Sequence, residues 1–288
     1  MFIVLVLITV ANANAQTSPL DRVPVDYRPP TLVVEARVNG SEPLLFAFDT
    51  GSSTCLIDAQ VAQRLGIEAV QRPGREGPSF ARARTLAVGK AVAHDLELVI
   101  RDLSGLSQQV GRDLAGILGF TWMEQFVFEI DYRAARLTLW PRTVELTPRA
   151  DQLPLPLELY SVPGFTGASL YVPARLLGAH PCPMEIDTGT DAGLLGRQMA
   201  AALGVDVNRL GGPLGSARRA PYTLPWLELA GRVLTTVRFL IDPRRGADGN
   251  PYAQCTMGNE LMKEFVLTVD IPRRRAFFRA LLPLPVPE

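Results

Sequence analysis

The sequence predicts a mostly β, two-lobed protein, and three observations carry that prediction. The chain of 288 residues matches itself at an offset of 138 positions. Each copy is a series of short β-rich runs broken by turn residues, with only brief helical signals between them. A proline-rich stretch, residues 141 to 156, separates the copies.

The repeat is ungapped from residue 33 to 67. Val34, Ala36, Arg37 and Gly40 fall on Val172, Ala174, Arg175 and Gly178, and Pro43 falls on Pro181. Leu56, Gln60, Ala62, Leu65 and Gly66 fall on Leu194, Gln198, Ala200, Leu203 and Gly204. Later the offset becomes 139, where Gly119, Met123, Phe126, Val127 and Asp131 meet Gly258, Met262, Phe265, Val266 and Asp270. Ordered identity of this kind marks a duplicated unit of about half the mature length.

Within one unit, residues 32 to 38 and 44 to 48 read as strands joined through Asn39-Gly40, a hairpin turn signal. Asp58 suits the N-cap of a helix over 59 to 65, and Gly66 its C-terminal cap. Further strands are expected at 85 to 88 and 96 to 100. A short helix capped by Thr121 follows Ile117-Leu118-Gly119, and strands at 127 to 130 and 136 to 140 close the unit. The second unit repeats this, with Asn259 at the corresponding cap. A doubly wound α/β fold would need longer helices between its strands.

Basic and acidic residues balance at 29 each, which offers no field to attract nucleic acid. His94 and His180 stand alone, and HExxH, a P-loop and paired CxxC are missing, so neither a metal nor a cofactor is expected. Gly211, Gly212 and Gly215 are spaced too loosely for a nucleotide fingerprint and read as a loop. Residues 1 to 15 carry no charged side chain and end in Ala13-Asn14-Ala15, the pattern of a secretory signal cut after Ala15. That run is too short to span a bilayer, so stable membrane insertion is not expected. The expected layout is a signal at 1–15, an N-terminal segment at 16–30 and a lobe at 31–140. A linker at 141–156, a lobe at 157–280 and a proline-rich tail at 281–288 complete it. Of the three cysteines, Cys182 and Cys255 could meet, but buried free thiols are the expectation for all three, Cys55 included.

The chemistry lies in a doubled triplet. Asp49-Thr50-Gly51 ends one apolar strand, and Asp187-Thr188-Gly189 ends its copy. Burying a lone carboxylate is costly, so two copies in matching surroundings ask for a mechanism that uses a pair. If the lobes pack about a pseudo-twofold axis, the two carboxylates face one another. At about 3 Å apart they cannot both ionise and so share a proton. One can then take a proton from water while the other gives one to a carbonyl oxygen. Gly51 and Gly189 allow close backbone approach. Ser52 and Thr190 bring hydroxyls near the carboxylates, and Thr50 and Thr188 can bond backbone groups that fix the loops. An aspartyl-phosphate enzyme would want parallel strands with intervening helices, which the pattern lacks.

Both halves resemble aspartic peptidases of the pepsin–retropepsin superfamily. FAFDTGSS and MEIDTGT fit its hydrophobic-hydrophobic-Asp-Thr-Gly-Ser/Thr motif, and ILG (117–119) and TMG (256–258) fit the hydrophobic-hydrophobic-Gly motif that follows. The run from 116 to 139 most resembles bacterial retropepsin-like aspartyl proteases. The resemblance implies a two-lobed, pseudo-twofold acid-protease fold with a closed β-barrel in each lobe. It also implies catalytic roles for Asp49 and Asp187, a polypeptide substrate in the cleft between lobes, and a monomer supplying both aspartates. The flap departs from the family pattern: residues 72 to 85 hold no tyrosine and two glycines, and only Tyr222 stands in the second-half counterpart. The segment before the first strand is short for a pepsin-type inhibitory pro-segment.

Glu185 shares strand parity with Asp187, and Ala47 takes its place in the first half. Glu185 could line a subsite favouring a basic side chain, with Ala47 as its counterpart; the alternative is a carboxylate turned to solvent or paired with an arginine. Asp191 could add charge near the dyad or serve as a turn residue. The expected function is an exported aspartic endopeptidase, periplasmic or extracellular. The alternative is a non-catalytic peptide-binding or inhibitor-like protein on the same fold.

Overall fold

The computed structural model describes residues 18–70, 79–161, 166–210 and 219–281. The expected signal at 1–15, the glycine-bearing loop at 211–218, residues 72–78 of the first flap region and the tail from 282 lie outside the described residues.

Each lobe is a seven-stranded sheet that closes on itself. In the first, the spatial order is Asp26–Arg28, Thr31–Val38, Leu44–Phe48, Gly116–Leu118, Cys55–Asp58, Ala91–Arg101, Phe80–Val88. Phe80–Val88 then pairs back onto Thr31–Val38 through Arg37↔Ala87 and Val38↔Leu86, which leaves only the short Asp26–Arg28 strand outside the six-stranded ring. The second lobe follows the same order strand for strand: Glu158–Tyr160, Ser169–Leu176, His180–Ile186, Cys255–Met257, Gly193–Gly196, Arg232–Asp242, Ala220–Leu229. It closes by Ala174↔Leu229. Closure removes most of the exposed sheet edge and encloses an apolar interior.

A third sheet joins the lobes. Its order is Asp21–Pro24, Arg136–Pro141, Phe126–Asp131, Phe265–Asp270, Arg275–Ala280, Leu153–Pro156. The two central strands are copies of one another and pair antiparallel with Glu129 opposite Thr268. Those two residues are themselves equivalent in the repeat, so the pseudo-twofold axis passes through this pair, where Thr268 Oγ1 donates to Glu129 Oε2 at 3.0 Å.

Local signals place the elements. Thr31–Val38 alternates buried and exposed positions toward its end, as a strand half-facing a core must. Asn39 (φ 52°) and Gly40 (φ 79°) both adopt left-handed backbone, and Ser41 N closes the turn on Val38 O at 2.9 Å. Asp58 caps Ala59–Arg64 through Gln60 N and Val61 N. Trp122 lies fully buried against Phe48 and Phe126, with its indole N–H donating to Leu86 O at 3.0 Å.

Several details differ from the sequence reading. The strands expected at 85–88 and 96–100 are longer, Phe80–Val88 and Ala91–Arg101. The N-terminal segment contributes Asp21–Pro24 and Asp26–Arg28, and the proline-rich linker contributes Leu153–Pro156, which pairs with Arg275–Ala280. Thr121 and Asn259 do not cap their helices. Gly119 and Gly258 hold the cap positions, because a Cβ there would stand 2.6 Å from Thr54 C and from Ala192 O respectively. Thr121 Oγ1 instead accepts from Cys55 N at 3.2 Å. The expectation of three free thiols fails for two of them. Cys182 and Cys255 form a disulfide, since sheet order sets their strands side by side with Cα atoms 6.3 Å apart. Cys55 is free and buried. Among the described residues no helix is long and apolar enough to cross a membrane.

Candidate active site

Asp49 follows Leu44–Phe48 and Asp187 follows His180–Ile186, each strand lying beside the short parallel strand that precedes a Gly-initiated helix. The parallel ladders continue one step past the strands, with Asp49 N donating to Leu118 O (3.0 Å) and Asp187 N to Met257 O (3.1 Å). Each carboxylate then folds back to accept the N–H two residues on: Gly51 N to Asp49 Oδ1 at 2.9 Å, and Gly189 N to Asp187 Oδ1 at 2.8 Å.

The threonines cross between the loops. Thr50 N donates to Thr188 Oγ1 at 2.9 Å, and Thr188 N donates to Thr50 Oγ1 at 3.0 Å. The same hydroxyls donate onward to the opposite strand, Thr50 to Ile186 O (2.7 Å) and Thr188 to Phe48 O (2.6 Å). Both threonines are fully buried, so these bonds have little competition from water. Each loop is thereby positioned by the other.

This cross-bracing sets the two carboxyl groups face to face, each against the glycine of the opposite loop. The glycines make it possible. A Cβ on Gly51 would stand 2.5 Å from Asp187 Cγ, and one on Gly189 would stand 2.5 Å from Asp49 Cγ. Both carboxyls are crowded by protein yet keep a partly open face. Loss of solvation raises both above the ordinary carboxylate range, and the charge of Asp49 pushes Asp187 up to about 7. The two carboxyls act on one another across this contact, so the pair titrates as a unit and shares a proton.

The other expected residues divide. Ser52 Oγ donates to Thr54 O at 2.8 Å and stays within its own loop. Thr190 contributes its carbonyl, which accepts from Asn259 N and Nδ2, each at 2.9 Å. Ala47 is buried in an apolar cluster with Val33 and Ile117. Glu185 is buried and paired with Arg245, and its Oε2 also accepts from Thr256 Oγ1 at 3.1 Å. Its charge is therefore taken by an arginine rather than offered to a basic substrate side chain. Asp191 accepts from the Tyr27 hydroxyl. Tyr222 packs against the core of its own lobe. Arg245, Tyr27, Tyr132 and Asn259 all touch the site or its supports, and none reads from the sequence as a site residue, Asn259 suiting only a helix cap there, since each partner is more than 50 positions away.

Residues 34–122 match the family model described as aspartyl protease. That segment spans most of the first lobe, which is a retropepsin-like aspartyl protease domain, and the second lobe repeats its strand order. The two together make the two-lobed acid-protease fold. No curated protein matches the chain.

Proposed function

We propose that the chain is an exported aspartic endopeptidase in which Asp49 and Asp187 activate a water against a peptide bond. The observation that carries this reading is the facing pair of carboxyl groups, each set against the glycine of the opposite loop, at the centre of loops that brace each other across the lobes. In the resting pair Asp49 is the base and Asp187 the acid. Water attacks the peptide carbonyl carbon as its proton passes to Asp49 and the Asp187 proton passes to the carbonyl oxygen. Collapse of the resulting gem-diol breaks the C–N bond. The amine nitrogen takes the proton from Asp49, and a gem-diol hydroxyl returns one to Asp187. Polypeptide substrate would lie between the lobes, and a single chain supplies both aspartates. The signal-like leader and the Cys182–Cys255 disulfide both support an oxidising, exported setting.

The test is hydrolysis of an unfolded polypeptide by the purified mature protein. Activity should be bell-shaped in pH. It falls on the alkaline side as the shared proton leaves near pH 7 and on the acid side as Asp49 becomes protonated. Asp49→Asn and Asp187→Asn should each abolish turnover by at least about 10³-fold while circular dichroism stays native. A wild type that binds peptides but cuts none in a broad library would instead favour a binding module.

A further inference from the structure

The loop that carries Asp187 is held by Asn259, itself anchored by residues from the other half of the chain. Asn259 is fully buried, and its side-chain amide donates to Thr188 O (3.0 Å), Thr190 O (2.9 Å) and Pro30 O (2.8 Å). The first two acceptors flank Gly189, whose N–H holds the Asp187 carboxylate. Pro30 belongs to the lead-in of the first lobe. The remaining acceptor of Asn259, Oδ1, takes a hydrogen bond of 2.5 Å from the hydroxyl of Tyr132, which follows a first-half strand of the joining sheet. Tyr27 stands edge-on against the Tyr132 ring at 6.1 Å and donates its own hydroxyl to Asp191. Glu260 N closes the set on Asp191 O at 2.9 Å.

The other lobe lacks this arrangement. Phe120 occupies the position of Asn259 and Ser53 that of Asp191. Phe120 N still donates to Ser52 O at 2.8 Å, but it has no amide to reach the loop. Contact from the second lobe's lead-in is mainly close packing there: a Cβ on Gly167 would stand 3.0 Å from both Ser53 C and Phe120 Cδ1, and one long hydrogen bond runs from Thr166 Oγ1 to Thr54 Oγ1 at 3.5 Å. One catalytic loop is thus packed from across the lobes, and the other is latched by two hydroxyls, Tyr132 on Asn259 and Tyr27 on Asp191, whose rings meet edge to face. None of these three residues lies in the segment matched to the family.

We infer that Asn259, Tyr132 and Tyr27 are positioning residues, a latch in which Asn259 of the second half, anchored by Pro30 and Tyr132 of the first, holds the Asp187 loop against Asp49, with Tyr27 bracing Asp191. The inference rests on the dyad reading above for its kinetic consequence. Proton transfer between carboxyl, water and substrate demands placement to a fraction of an ångström, and a displacement of about 1 Å can cost 10²-fold. Tyr132→Phe frees Asn259 Oδ1, and Tyr27→Phe frees Asp191; each removes a single hydroxyl from a partly buried ring. Asn259→Asp keeps an acceptor for Tyr132 but sets a carboxylate against three carbonyl oxygens.

The experiment measures kcat, KM and Tm for the wild type and these variants, together with a titration of the aspartate carboxyls by carbon-13 NMR. In Tyr132→Phe, kcat should fall about tenfold with KM within about twofold, and in Tyr27→Phe less. Asn259→Asp should lose more. As the carboxyls separate, the upper titration step of the dyad should move down from near 7 toward the ordinary range. A purely structural role would lower Tm alone. Phe variants with unchanged kcat and an unchanged upper step would overturn the latch, whatever their Tm. If the wild type hydrolyses nothing, the peptidase reading fails, while the NMR step still decides whether the latch holds the pair together.

Discussion

Behind Asp49 and behind Asp187 the same backbone encloses opposite chemistry. Under Asp49 lie Val33, Ala47 and Ile117, roofed by Leu103, Leu106 and Val110 at the short helix Ser104–Val110, a dry and wholly apolar cluster. Under Asp187 the equivalent positions are Tyr171, Glu185 and Thr256. The roof there is the segment from 243 to 254, which supplies Arg245 and Tyr252. Tyr171 stands opposite Glu185 across the paired strands, and the rings of Tyr160 and Tyr252 stack at 4.4 Å beside it. The duplication kept what the dyad needs from the main chain and let the material beneath each aspartate diverge. Burial raises both carboxyls, and the ion pair on the Asp187 side adds a field felt by both: Glu185 raises Asp49 and Arg245 lowers Asp187.

The harshest break of this comparison is Ala47→Glu, which copies the charge into the dry lobe without an arginine. No partner stands within the apolar cluster, so the new carboxylate must stay neutral or open the lobe. The expected outcome is loss of at least about 3 kcal/mol at pH 8, with recovery as pH falls and the carboxyl protonates. Thermal melts at pH 5 and 8 check it; equal Tm shifts at both would show that bulk, not charge, is at fault.

Next is Arg245→Met. It leaves Glu185 buried with only hydroxyl partners, a loss of roughly 3–5 kcal/mol at neutral pH. Glu185 is already raised by burial, against which Arg245 pulls it down, so removing the arginine raises it further. A group raised on folding stabilises the fold below its unfolded pKa and loses that contribution as pH climbs through the folded value. The deficit in Tm should accordingly widen from pH 5 to 8. A deficit flat in pH would mean that Glu185 is not the source.

The third contrast is covalent. Cys182 and Cys255 tie the Asp187 strand to its parallel neighbour, whereas Leu44 and Gly116 hold those positions in the first lobe. There Phe46 fills the space, and a Cβ on Gly116 would stand 2.8 Å from its Cδ1. The Cys182→Ala, Cys255→Ala double variant should lose about 2–4 kcal/mol. Hydrogen exchange should locate the loss in the second lobe, and uniform loosening of both lobes would contradict it.

What the sequence showed of all this follows from the range of each signal. The strand runs, the Asp58 cap and the Asp-Thr-Gly loops were legible because strand alternation, turn glycines and an internal copy are local or self-referring patterns, whereas closure of each sheet came only as what the family resemblance implies. The facing aspartates were legible only because the chain repeats, which turns a one-lobe motif into a statement about symmetry. The ion pair was not, since Glu185 and Arg245 are 60 positions apart and meet through sheet order. The Tyr27–Asp191 contact spans 164 positions, and no periodicity announces it. Thr121 and Asn259 misled for a different reason. A capping side chain is the usual solution at a helix start, but here the backbone of the catalytic loop crowds the cap and admits only glycine, which frees Asn259 for the latch.

The finest test of the comparison is Glu185→Gln, which makes the second lobe neutral like the first while keeping its shape. The charge on Glu185 raises Asp49, so its removal eases ionisation of the base and moves the acid limb of the activity profile to lower pH. Arg245, no longer neutralised, lowers Asp187 more strongly, and the alkaline limb follows in the same direction. The whole bell should slide acidward with little change in height, because no group that touches water or the peptide bond has been removed. Arg245→Met predicts the opposite slide. The double variant should therefore return most of the way to the wild-type profile, because the two opposite shifts add. Two single variants that move the profile the same way would show that the pair acts on the dyad through packing, and that the two halves of the site differ in shape rather than in field.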